Sequence, residues 1–298
     1  MLSIGKERTI KRWYILRLMR AVQIHPYYAF QHEQTCINYR KTRKMKRTLF
    51  YALLLIHLLQ FGCNTTTENF KVMHQVTGPI KTNCYLLYGV TSKEAAIIDP
   101  GWQVDTLVAF IKENGLDLKY IFITHGHIDH FYYVPEIKEL FPKAQLCMHT
   151  DDYRDIFTAM DWGAENYGPE WIEEAISNPD TRAYVEFDMD LIGIPDVFVE
   201  DGQTFKLGRL EISAIHTPGH SPGGMCYYTG NVLFTGDVLF YRTVGRTDTQ
   251  NGSLDDQINS VRKLYTLFPD STIVYPGHMQ FTDIGSEKKK TGGCHWNR

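Results

Sequence analysis

Residues 120–130, Tyr-Ile-Phe-Ile-Thr-His-Gly-His-Ile-Asp-His, constrain this chain more than any other stretch. The apolar start reads as a short buried strand, and four potential metal ligands, His125, His127, Asp129 and His130, follow where that strand must run out. A strand end aims side chains, and a loop lets them converge. Imidazoles with a carboxylate suit Zn(II) or Fe(II), whereas calcium and magnesium sites are built mainly from oxygen. Gly126 is expected to turn the backbone sharply between two of the ligands.

Further donors recur downstream in strand-end loops of the same kind. His220 lies in Thr-Pro-Gly-His-Ser-Pro-Gly (217–223) after the apolar run Leu210–Ile215. Asp237 ends Val-Leu-Phe-Thr-Gly-Asp (232–237), and His278 ends Ile-Val-Tyr-Pro-Gly-His (273–278). A lone histidine is more often a cap or a satisfied core residue, and His25, His32, His57, His74, His149, His216 and His295 are read that way. The seven donors taken together favour metal, because unpaired buried imidazoles and carboxylates are costly.

The order HxHxDH, His, Asp, His resembles the metallo-β-lactamase superfamily over roughly residues 70–285. The resemblance implies an α/β fold, the four-layer αββα sandwich, which also suits two successive β-rich halves each followed by helices. It implies one cation on His125, His127 and His220, a second on Asp129, His130 and His278, and Asp237 bridging them, with two Zn(II) per chain. A bridging hydroxide would be the nucleophile, since metal binding lowers the pKa of water to about 7, and Asp129 would orient the water as the catalytic carboxylate. Asp99, in Asp-Pro-Gly, would support the ligand loop from behind; its plain reading is a turn residue.

The segment 236–248, which ends Val-Gly-Arg-Thr-Asp, resembles the glyoxalase II-like (hydroxyacylglutathione hydrolase-like) branch more than true β-lactamases. The implied reaction is hydrolysis of a thioester or similar activated ester, with Arg246 and Asp248 bracing the loop that bears Asp237. Three rivals stand beside it. A persulfide dioxygenase would hold one Fe(II) on His125, His220 and Asp237; a lactone or β-lactam hydrolase would keep both zincs; a surface binding module would hold metal without turnover. Full-length glyoxalase II enzymes grip glutathione with an additional C-terminal helical domain. The 20 residues after His278 are too few for one, so hydrolysis is the firmer expectation and the substrate the weaker.

A chain of 298 residues with 43% hydrophobic content can bury one large core. Its net charge of −3 hides an asymmetry. Residues 1–44 carry ten Lys/Arg against two Glu, whereas 63–298 carry 19 basic and 32 acidic residues, a balance of −13. An acidic body argues against a nucleic-acid partner and for a small-molecule substrate. Residues 1–44 show no sustained period and read as a non-structural leader. Met45-Lys-Arg-Thr followed by an apolar run from Leu49 reads as a signal peptide over 45–62, too short to span a bilayer comfortably. Cys63 then reads as a lipidated residue with a tether to 69, which implies a membrane contact through a lipid anchor and a place in the bacterial cell envelope. A plain secretory signal, an uncleaved anchor and a cytoplasmic chain are the alternatives. Residues 286–298 are expected to be a disordered tail. Cys84, Cys147 and Cys226 lie in apolar runs and read as small buried hydrophobes, not a disulfide framework.

Within the catalytic body, Phe70–Val76, Cys84–Tyr88 and Ala95–Ile98 read as opening strands and Val104–Asn114 as a helix. Tyr132 and Tyr133 stand where relatives typically have a glycine pair; they pack the next helix or wall the site mouth. Residues 151–195 hold twelve Asp/Glu against Arg154 and Arg182, with aromatics interleaved. Helices around Tyr153–Met160 and Pro169–Ser177 would make this segment a lid, with Trp162 and Trp171 as candidate substrate contacts beside Tyr132 and Tyr133. The plain alternative is a solvated acidic face. Asp201-Gly202 is read as a hairpin turn between Val197–Val199 and Thr204–Leu207.

Overall fold

The computed structural model describes residues 69–291. The leader, the signal-like stretch, Cys63 with its tether to 68, and residues 292–298 lie outside the described residues, as do His25, His32, His57 and His295.

Two six-stranded sheets form the centre. The first runs in the order β1 (Phe70–Thr77), β2 (Thr82–Gly89), β3 (Glu94–Ile98), β4 (Asp117–Phe122), β5 (Gln145–Met148), β6 (Val197–Phe198). The second contains β7 (Thr204–Leu207), β8 (Leu210–His216), β9 (Met225–Thr229), β10 (Val232–Gly236), β13 (Ile273–Pro276) and β14 (Thr282–Asp283), in the order β14-β13-β10-β9-β8-β7. A small ribbon, β11 (Leu239–Phe240) and β12 (Thr243–Val244), follows Asp237.

Alternation along the strands fills three apolar layers. In β2, Tyr85 and Leu87 face the second sheet, and with Phe122 of β4 they pack against Phe205, Tyr227 and Phe234. Cys84, Leu86 and Tyr88 face the other way, against helix α1 (Asp105–Glu113), whose Leu107, Val108 and Ile111 form one stripe. On the far side of the second sheet, Ile215, Leu233 and Val274 pack on Val261 and Leu264 of a long helix, Leu254–Leu267. Helix, sheet, sheet and helix therefore stack as the expected αββα sandwich. Among the described residues no helix is long and apolar enough to cross a membrane.

Three expectations need correction. Asp201-Gly202 closes no hairpin, because β6 pairs in parallel with β5 and β7 pairs with β8. The turn instead carries the chain from one sheet to the other, and Gly202 at φ +82° donates its N–H to Ala214 O. The acidic segment holds four α-helices rather than two: Thr150–Asp155, Ala159–Tyr167, Pro169–Ser177 and Pro179–Glu186. Proline opens each of the last two, where its missing N–H costs nothing. Finally, residues 286–291 are not a loose tail, since Ile284–Thr291 is a helix. Its Glu287 is fully buried and accepts from Thr282 Oγ1 and Arg242 N–H, which supplies the order that composition alone does not reveal.

Candidate metal centre

All seven donors follow the C-terminal ends of β4, β8, β10 and β13, three of which belong to parallel pairs, β4 in the first sheet and β10 with β13 in the second. Backbone bonds tie these loops together: Met225 N–H donates to Thr124 O at 2.8 Å, and Asn83 N–H to Gly277 O at 2.7 Å. The convergence is thus a property of the sandwich edge.

The ligating atoms fall into groups lying within 4.8 Å of one another: His125, His127 and His220; Asp129, His130 and His278; and His125, His130 and Asp237. His127 Nδ1 lies 3.0 Å from His125 Nε2 and 2.9 Å from His220 Nε2. Asp129 Oδ2 lies 3.3 Å from His278 Nε2 and 3.4 Å from His130 Nε2. Asp237 stands between the groups, with Oδ2 3.4 Å from His220 Nε2 and 3.5 Å from His278 Nε2, and Oδ1 3.6 Å from His130 Nε2. A tetrahedral cation with bonds of ~2.0–2.1 Å has ligand–ligand edges of ~3.4 Å, so these spacings fit. Two buried atoms at the centre, His130 Nε2 and Asp237 Oδ1, have no hydrogen-bond partner. Such atoms cost free energy unless something binds them, and a cation is what this donor set would bind.

For three of the imidazoles the far-side nitrogen fixes the tautomer. His220 Nδ1–H donates to Arg246 O at 2.7 Å, and His130 Nδ1–H to Asp99 Oδ2 at 2.9 Å. Thr124 Oγ1 donates to Asp99 Oδ2 at 2.7 Å and so can accept from His125 Nδ1 at 3.0 Å. Asp99 therefore backs ligands of both groups, from an αL backbone at φ +53°. Thr82 Oγ1 donates to Asp129 Oδ2 at 2.6 Å. Arg246 and Asp248 form an exposed bidentate pair at 2.7 and 2.8 Å; through the Arg246 carbonyl their brace acts on His220 more directly than on Asp237.

Burial and the neighbouring imidazoles hold His125 and His127 well below the usual histidine range, leaving their lone pairs free. Burial also opposes the charge on His130, but Asp129, Asp237 and Asp99 outweigh it and push its pKa up to about 10. Asp129 goes the other way: burial opposes its charge, and His130, His278 and Thr82 nevertheless hold it well below the carboxylate range. Without a cation His130 therefore carries a proton near neutral pH, and a metal ligand cannot. Cation uptake is expected to release that proton, so apparent affinity should rise about tenfold per pH unit below the His130 pKa. Calorimetry in buffers of different ionisation enthalpy measures the release; affinity independent of pH between 6 and 8 would contradict it.

Gly126 does not turn the chain through a positive φ. It is needed for close approach, because a Cβ there would lie 2.9 Å from Asp152 O and 3.3 Å from Ile156 Cγ2. Tyr132 stacks on Trp102 at 4.6 Å, and Tyr133 OH reaches Asp105 at 3.4 Å, so packing accounts for their described contacts. Trp162 meets Tyr167, and Trp171 lies over Gly163 within the acidic segment; neither ring is placed on the ligands by these contacts. His74 bonds Asn83, and His149 and His216 stack on each other at 4.6 Å, outside every donor group.

Tyr167, Asp152 and Tyr184 were not singled out as site residues by sequence reasoning. Tyr167 OH donates to Asp248 O at 2.9 Å, and Asn251 donates to Asp155 at 2.9 Å, which stitches the acidic segment to the loop that orients His220. Tyr184 is 5% exposed, stands edge-on to Trp102 and Tyr132, and has a hydroxyl with no partner. Composition flagged the aromatics of this segment, but no local pattern separates Tyr184 from the others.

Comparison with known proteins gives concordant results. The family described as "Metallo-beta-lactamase superfamily" matches residues 77–278. Hydroxyacylglutathione hydrolase GloC of Haemophilus influenzae is 32% identical over 210 residues, covering 70% of this chain and 90% of that protein. Among solved structures, the BLEG-1 B3 metallo-beta-lactamase superposes with a TM-score of 0.60 at 32% identity, covering 74% of this chain and 97% of its own. TTHA1623 in a di-iron-bound form gives 0.56 at 28% identity, covering 73% and 98%.

Proposed function

The chain belongs to the metallo-beta-lactamase superfamily, and on that premise we propose that it is a dinuclear metallo-hydrolase that cleaves a thioester or similar activated ester in the glyoxalase II-like manner. The observation that carries the proposal is the division of the buried and half-buried donors into two groups with Asp237 between them. Zinc is the proposed metal, because histidine with carboxylate suits it and hydrolysis needs no redox change. Iron suits the same donors, and the relative in a di-iron-bound form supports two cations rather than one.

When bound, two divalent cations would polarise the substrate carbonyl and lower the pKa of a shared water to about 7. His125, His127 and His220 would hold one cation and Asp129, His130 and His278 the other, with the Asp237 carboxylate between them. Asp129 remains ionised, so it can accept a hydrogen bond from the attacking water and orient it. The acidic segment of 151–195, with twelve Asp/Glu and two Arg, disfavours a strongly anionic substrate, and the acidic body disfavours nucleic acid.

The test is turnover by the purified protein on a panel of thioesters, including S-lactoylglutathione, beside lactones, β-lactams and persulfides. Thioester hydrolysis that a chelator abolishes and zinc restores is expected. Oxygen uptake with persulfides by an iron-loaded protein would replace the proposal with the dioxygenase reading. Ring opening alone would replace it with the lactonase or β-lactamase reading.

A further inference from the structure

Asp152 is 1% exposed and lies outside every group of metal donors, yet three hydrogen bonds converge on its carboxylate. Oδ2 accepts from Gly126 N–H at 2.8 Å and from Ser221 Oγ at 2.7 Å, and Oδ1 accepts from Gly223 N–H at 2.5 Å. Gly126 sits between His125 and His127, and Ser221 follows His220. The donors therefore lie beside the three-histidine ligands; the first loop runs on to Asp129 and His130, and no donor comes from the loops bearing Asp237 or His278. Both loops approach through glycine: a Cβ on Gly223 would lie 2.7 Å from Asp152 Oδ1, and one on Gly126 2.9 Å from Asp152 O. Asp99, by contrast, backs His125 through Thr124 and His130 directly, so it serves both groups.

We infer that Asp152 is a positioning residue that clamps the His125–His127 loop to the His220 loop and so sets the affinity of the three-histidine site selectively. Burial pushes the Asp152 pKa up to about 7 against the three hydrogen bonds that favour its charge; in the ionised form it accepts only, which matches three donors, and it orients the two loops before the cation arrives. An asparagine at this position cannot replace it. Whichever way the amide is turned, its NH2 opposes a backbone N–H, of Gly223 or of Gly126, and one loop must move away. The inference rests on metal binding but not on which bond the protein cleaves.

The experiment is Co(II) titration of the purified full chain followed by visible absorption, with H278A and H220A giving the separate signatures of the three-histidine and Asp129-containing sites. In D152N the three-histidine signature is expected to need about ten- to a hundredfold more free Co(II), while the midpoint of the other site moves less than about threefold. Midpoints that shift together, or that stay where they are in wild type, would overturn the inference. Should D152N fail to fold by circular dichroism, S221A removes one donor and keeps the carboxylate. It is then expected to weaken the three-histidine site selectively by a smaller factor, and two unchanged midpoints would be equally fatal. Absence of thioesterase activity in the wild-type protein, with the selective Co(II) shift of D152N intact, would count against the hydrolase reading alone.

Discussion

Replacing Asp237 with asparagine is expected to lower metal-dependent hydrolysis by about a thousandfold or more while leaving the fold intact. The two Asp237 oxygens face both donor groups, at 3.4 Å from His220 and 3.6 Å from His130. Asparagine keeps the shape but loses the charge and one acceptor. The cation on His125, His127 and His220 would then have no anionic donor and the other would keep Asp129 alone, and several kcal/mol of charge stabilisation correspond to about three decades in rate. In the free protein the substitution removes a carboxylate oxygen with no hydrogen-bond partner but also one of the charges that hold the His130 proton, so thermal unfolding should shift downward without loss of the fold. Metal content, thermal unfolding and kcat/KM of D237N read these effects separately. Activity within tenfold of wild type would remove Asp237 from the centre of the chemistry.

Gly101→Ala should be the most damaging conservative substitution near the site. A Cβ there would stand 1.4 Å from Asp129 O and 2.3 Å from Asp129 C, both backbone atoms that no rotamer change can move. The loop carrying Asp129 and His130 must shift bodily, at a cost expected to reach about 3 kcal/mol or more. Gly115→Ala is the control, since nothing lies within 4 Å of its Cβ and only its φ of +59° is strained, at about 1 kcal/mol. Urea unfolding of the metal-free proteins compares the two. Equal losses would mean that the loop bearing Asp129 yields at little cost and that the close approach is not what requires glycine at 101.

The ligand set was legible because a metal centre of this kind is built at strand ends, and strand ends leave a local mark: an apolar run, then a donor. That mark recurs before His125, His220, Asp237 and His278. The layered fold was legible too, since the continuous apolar run in β2 announces a strand buried on both faces and the stripe on α1 a helix buried on one. Pairing was less legible. Asp201-Gly202 has hairpin chemistry, but whether its flanking strands join each other or two different sheets depends on partners more distant along the chain, Cys147 and Ile212 among them. Asp152 was invisible because its role is a relation between two glycine loops distant in sequence, not a motif. The helix at Ile284–Thr291 was missed because its order comes from the tertiary partners of Glu287. Composition read only three consecutive lysines.

The central claim is that two cations sit on these seven side chains, and elemental analysis of the natively purified, never refolded protein tests it most directly. About two zinc ions per chain, both removed by chelation together with thioester hydrolysis, is the predicted result. About one iron per chain with little zinc, or a protein that binds no divalent cation while folded, would contradict it.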